Sequence, residues 1–284
     1  MKKKLLTLLI AICMIMSMGI LAACGGSSGG ESSDSGSGTE TAEPAADPEE
    51  KFAGDWKLAA AESEGVYMAG NFTELLELSD EGNGNVTLTI NANKTGVINL
   101  GDESANFTWE LKSDDVITIT PETETDKVGE TADISYKEDA LWLTIVQEEK
   151  EASLIYTKDG IFADAKDFNM ADAKDITSKD ELVGKWTLTG MKLMGIAMYG
   201  DAEALKNATS SGEEVSINFK EDGTAEMNGN AGTWEVTSDG ATMTSTDVTG
   251  THTYPVKKLG DDIVLDGSEL LNGNEYLMVL SKTN

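Results

Sequence analysis

The sequence predicts an all-β chain: two tandem up-and-down antiparallel β-barrels of about eight strands, each with a short helix after the first strand. Three observations carry this. First, short segments alternate apolar and polar residues, as in Val86-Thr87-Leu88-Thr89-Ile90 and Val215-Ser216-Ile217-Asn218-Phe219. That period of two marks a strand with one face buried. Second, the joints are short and rich in Gly, Asn and Asp, as at Asp222-Gly223, Ser238-Asp239-Gly240 and Asn272-Gly273-Asn274. Such residues tolerate the positive φ angles of tight hairpins. Third, the pattern occurs twice. Phe52-Ala53-Gly54-Asp55-Trp56-Lys57-Leu58 and Leu182-Val183-Gly184-Lys185-Trp186-Thr187-Leu188 both read apolar-x-Gly-x-Trp-x-Leu, with the tryptophans at 56 and 186. A second tryptophan follows on a later strand in each half, at Trp109 and Trp234.

Residues 1–23 read as an export signal. Lys2, Lys3 and Lys4 precede an almost wholly apolar run from Leu5 to Leu21, and small Ala22-Ala23 stand before Cys24. Leu21-Ala22-Ala23-Cys24 with Gly25-Gly26 behind it resembles the lipobox of bacterial lipoproteins. The resemblance implies cleavage before Cys24, lipidation at Cys24 and a location on the extracytoplasmic face of the cell membrane. More than one acyl chain gives stable anchoring. Cys13 lies in the signal, so no disulfide or cysteine metal site is expected in the mature chain.

Residues 24–50 form a flexible acidic tether, Gly/Ser-rich and then Pro/Glu-rich, too poor in apolar groups to fold. Residues 51–158 are the first β domain. Its strands are expected near 86–90, 95–101, 107–111, 115–120, 130–137, 139–146 and 151–158, with a capped short helix at Asn71–Leu76. Residues 159–180 are a linker holding Ile161, Phe162, Phe168 and Met170. It is apolar enough to pack on one domain, with a helical turn expected around 163–173. Residues 181–284 are the second β domain, with a helix at Asp201–Leu205 and strands near 215–219, 223–228, 232–236, 240–245, 251–259, 261–266 and 275–281. Met191–Met198, rich in glycine and methionine, is read as a non-strand segment able to lid a cavity.

The Gly-x-Trp opening, the irregular stretch with a helix and the following strands resemble bacterial lipocalin-like domains, over 52–158 and 182–282. The resemblance implies that Gly54, Trp56, Gly184 and Trp186 pack the closed base of each barrel. No arginine is present to stack on the tryptophan, and Lys158 and Lys282 are the candidates to replace it. It also implies a small apolar or amphipathic ligand. Trp109, Met194, Met198, Phe219 and Trp234 are the candidate pocket residues. An eight-stranded barrel can equally be filled by its own side chains. The alternative is therefore a structural or protein-interaction module of the cell envelope with no internal ligand.

Composition narrows the classes. The chain carries 51 acidic and 21 basic residues, a net charge of −30. Loss of the three signal lysines leaves 51 against 18, or −33. That field disfavours nucleic acid, whose phosphates need a cationic footprint. His252 is the sole histidine, which excludes paired-histidine zinc sites and a histidine-centred relay. Asp261-Asp262 and Asp266-Gly267 fail the EF-hand pattern, and the glycine-rich turns lack the lysine of a phosphate loop. A non-enzymatic protein is expected, with no cofactor, no metal and no catalytic residues. The expected partners are the membrane, through the anchor, and a small apolar ligand.

Overall fold

The computed structural model describes residues 48–72, 86–101, 103–122, 131–147, 150–208, 212–247 and 250–283. Cys24, the signal, the tether up to 47 and most of the helix expected at 71–76 lie outside them. The chain is all-β and divides into two compact units. Among the described residues, unit 1 takes in 48–61, 72 and 86–162; unit 2 takes in 62–71 and 163–283.

In unit 1, β1 (Gly54–Ser63) pairs antiparallel with β3 (Val86–Ile90), setting Trp56 opposite Leu88. A meander follows through β4 (Thr95–Leu100), β5 (Glu103–Ser113), β6 (Val116–Pro121), β7 (Ala132–Lys137), β8 (Ala140–Gln147) and β9 (Lys150–Thr157). The registers put Trp56, Leu88, Ile98, Trp109, Ile119, Ile134, Leu141, Leu143, Leu154 and Tyr156 on one face. All of them are buried. The alternation read from the sequence is thus the alternation of core and exterior. Trp142, on the opposite face, packs edge-on against Phe162 at 6.3 Å.

Unit 2 holds a closed antiparallel barrel of eight strands. β11 (Gly184–Leu193) pairs with β13 (Ser216–Phe219). The ring continues through β14 (Thr224–Met227), β15 (Asn230–Thr237), β16 (Gly240–Asp247), β17 (Gly250–Leu259), β18 (Asp262–Asp266) and β19 (Tyr276–Lys282), which returns to β11. Closure leaves no unpaired strand edge around the ring. A register shift between Leu188 and Gly190 frees the second half of β11 from β13. That half takes β12 (Ile196–Tyr199) as its partner, and β12 in turn pairs with β2 (Val66–Gly70).

The structure corrects three expectations here. Met191–Met198 is a β-hairpin, not an irregular lid: Met194 and Gly195 turn it with φ of 47° and 79°. The helix of unit 2, α1 (Ala202–Ala208), follows the second strand rather than the first. Asp201 caps it by accepting from the Ala204 N–H at 2.7 Å. The linker at 163–173 has turns instead of a helical segment, closed by Asp172 N–H to Asn169 and Ala173 N–H to Met170. It does pack on unit 2: Phe168 is buried edge-on to Tyr199 at 6.3 Å, and the Tyr199 hydroxyl donates to the Asp164 carbonyl at 3.0 Å. Before β11 it adds a two-residue strand, β10 (Lys174–Asp175), paired with β17, and a capping box in which Ser178 and Glu181 satisfy each other's backbone N–H groups.

Candidate functional site

Gly54 and Trp56 of unit 1 and Gly184 and Trp186 of unit 2 occupy equivalent places. Trp56 Nε1 donates to the Phe52 carbonyl at 2.9 Å, and Trp186 Nε1 to the Leu182 carbonyl at 2.7 Å. Lys158 Nζ stands 4.6 Å from the Trp56 ring and Lys282 Nζ 5.4 Å from the Trp186 ring. The lysines therefore stand where the resemblance leads one to look for an arginine, as cations over an aromatic face. Gly54 and Gly184 have φ of 127° and 128°. The backbone conformation therefore favours glycine at both, and a Cβ there would crowd the end of the lysine side chain at 3.1 Å.

Trp109 and Trp234 also match. Trp109 Nε1 donates to Asn91 O at 3.0 Å and Trp234 Nε1 to Lys220 O at 2.9 Å. Each bond ties an inward-facing ring to the hairpin turn beside it. Phe219 packs edge-on to Trp234 at 5.7 Å. Of the candidate pocket residues, Trp109, Phe219 and Trp234 are therefore buried, with both indole N–H groups already spent. Met194 is in the β11–β12 turn, and Met198 lies on β12 opposite Met68. The structure thus brings Phe219 and Trp234 together and sets the two methionines apart from them.

The inner face of the unit 2 barrel changes character along its axis. Toward the Trp186 end, Leu188, Phe219, Trp234, Met243, Tyr254, Val256, Ile263 and Leu280 are buried. Toward the other end, the registers bring Met191, Met227, Ser245, His252, Leu265, Tyr276 and Met278 to the same inner face. Met191, Ser245 and Leu265 are buried, and Met227, His252, Tyr276 and Met278 are half-exposed. Ser245 and His252 are direct cross-strand neighbours, so a hydroxyl and an imidazole stand side by side among thioethers and a phenol. Burial raises the Tyr276 phenol above its usual range, with Tyr254 adding to the effect. That phenol is a neutral hydrogen-bonding group at any physiological pH. This end thus carries apolar thioethers beside a hydroxyl, an imidazole and a phenol.

Sequence reasoning missed this set. In the sequence His252 stands out only as the sole histidine, and Met227, Ser245 and Tyr276 give no separate signal. The alternation in Thr251-His252-Thr253-Tyr254 does put His252 on the face of buried Tyr254, and that parity was the available clue.

Among the described residues, no helix is long and apolar enough to cross a membrane. None of their His, Cys, Asp and Glu side chains form a group of three or more that could hold a metal ion. Comparison with protein-family models finds no match, and neither does a search of curated proteins.

Proposed function

We propose that this is a non-enzymatic, extracytoplasmic lipoprotein, anchored through Cys24, with tandem lipocalin-like barrels. Its second barrel binds a small apolar or amphipathic molecule at the open end. The contrast along the unit 2 inner face carries the reading: a base filled by its own side chains, and a rim of half-exposed Met227, His252, Tyr276 and Met278. Thioethers adapt to varied apolar shapes, while His252 and the hydroxyls supply orientation. The tether keeps this rim off the membrane but within reach of it.

In unit 1 the middle of the inward face is buried, from Ile98 at 6% exposure to Tyr156 at 0%, while Ala105, Ala132, Ile145 and Ala152 on the same face are half-exposed. A barrel filled by its own side chains suits the second reading, a structural or protein-interaction module.

Native mass spectrometry tests the ligand reading. The full chain in detergent is exposed to host membrane extract, with the Met227→Trp variant alongside. The expected result is a stoichiometric added mass on the wild type that the bulky variant loses. A clean apo mass for both would refute ligand binding and leave the envelope-module reading.

A further inference from the structure

The sequence has 12 methionines, four of them before Cys24. Half of the remaining eight stand in one row. Met278 faces Met191 across β19 and β11, Met191 faces Met198 across β11 and β12, and Met198 faces Met68 across β12 and β2. All four belong to unit 2. Met68, Met191 and Met198 are 1%, 3% and 7% exposed, and Met278 is the half-exposed end of the row. Directly opposed side chains on an antiparallel sheet have Cβ atoms about 4.5–5.5 Å apart. Three flexible bonds in each side chain let neighbouring thioethers converge. The next row on the same face reads Tyr276, Leu193, Ile196, Gly70 and holds no sulfur.

We propose that this methionine row is a binding site for a soft monovalent cation of the copper(I) class. Thioether sulfur is a soft ligand that selects copper(I) over hard ions and over zinc. The row offers neutral donors only. A divalent ion would enter with no compensating charge, and the cost of burying an ion grows with the square of its charge. A monovalent ion avoids most of that cost, and the chain's net charge of −30 attracts it. The half-exposed Met278 is the point of entry. The row shares Met278 with the proposed rim, but Met68, Met191 and Met198 lie off it, so the row does not depend on the ligand reading.

The test uses the full chain in detergent, without oxygen, with copper(I) supplied as its acetonitrile complex and bicinchoninate as competitor. The wild type is expected to withhold one equivalent of copper(I). Met191→Leu with Met198→Leu, close in volume, should weaken retention at least tenfold at an unchanged melting temperature, and His252→Gln should retain it. X-ray absorption on the loaded wild type should show a sulfur shell. Three results would each overturn the proposal: no copper held against bicinchoninate, equal retention by the leucine variant, or a shell of nitrogen and oxygen. Should the double variant fold poorly, the wild-type shell and the single Met278→Leu variant decide the matter.

Discussion

Trp186 shows how much one residue organises. Its N–H satisfies the Leu182 carbonyl, its ring carries Lys282, and its position fixes the register of β11 against both β13 and β19. Trp186→Phe removes the donor and part of the ring and strands the carbonyl. The expected cost is about 1.5–3 kcal/mol in urea unfolding. Tyr156 is the opposite case. It is fully buried, its hydroxyl has no hydrogen-bond partner among the described residues, and burial pushes its phenol far up. Leu280, also on a last strand two residues before the lysine over the base tryptophan, carries no polar group. An unmade buried hydrogen bond is a net loss. Tyr156→Phe should therefore raise stability by about 1 kcal/mol in the same measurement. A destabilised variant would mean that the hydroxyl has a partner. Gly54, Trp56, Gly184 and Trp186 stand out in the sequence because a glycine two before a tryptophan is a local pattern, repeated. The orphaned Tyr156 hydroxyl was not legible: it depends on what strands far away leave beside it.

At the scale of elements, the β11–β12 hairpin was misread for a physical reason. Met191–Met198 has little polar alternation because side chains on both its faces are buried: Met191 and Met198 on one, Ala197 on the other beside Tyr199, which stacks on Tyr67 at 5.7 Å and meets Phe168 edge-on. The missed signal was a two-residue joint ending in glycine, Met194-Gly195, repeated at Glu64-Gly65 with φ of 51° and 81°. The pairing of Met68 with Met198 spans the repeat distance, from 68 to 198, which no local reading reaches. The strands from 215 to 281 were read well because one of their faces meets solvent. Gly190 is where the linker is held: a Cβ there would lie 2.4 Å from the Phe168 ring. Gly190→Ala should cost about 1–3 kcal/mol by overpacking. It should also loosen the cover on Tyr199, whose phenol burial pushes up to about 12. Ultraviolet titration of the variant should show that phenol ionising at lower pH. An unchanged titration would mean that Phe168 does not supply the burial.

At the scale of the whole molecule, charge governs the response to conditions. A net charge of −30 makes the folded state repel itself, so added salt should raise the melting temperature at pH 7 by screening. Acid works against this through particular carboxylates. Hydrogen bonds from Lys112 and Thr118 lower Asp133, the Ile161 N–H lowers Asp159, the Thr177 N–H lowers Glu181, and Thr224 lowers Asp222. Each folded pKa lies below its unfolded one. Each contribution is therefore present above the ordinary carboxylate range of about 4 and is lost as pH falls through the folded value. Stability should drop below about pH 4, and Asp222→Asn should flatten that drop. A flat profile to pH 2 would contradict these assignments.

The claim that the open end of the unit 2 barrel takes a ligand is tested most directly by methionine-methyl NMR of the full chain, titrated with host membrane extract. Met227 and Met278 sit at the rim, and Met243 is buried in the base. The account predicts that the Met227 and Met278 methyl signals move and saturate while Met243 stays in place. Stationary rim signals, or movement confined to Met243, would contradict it.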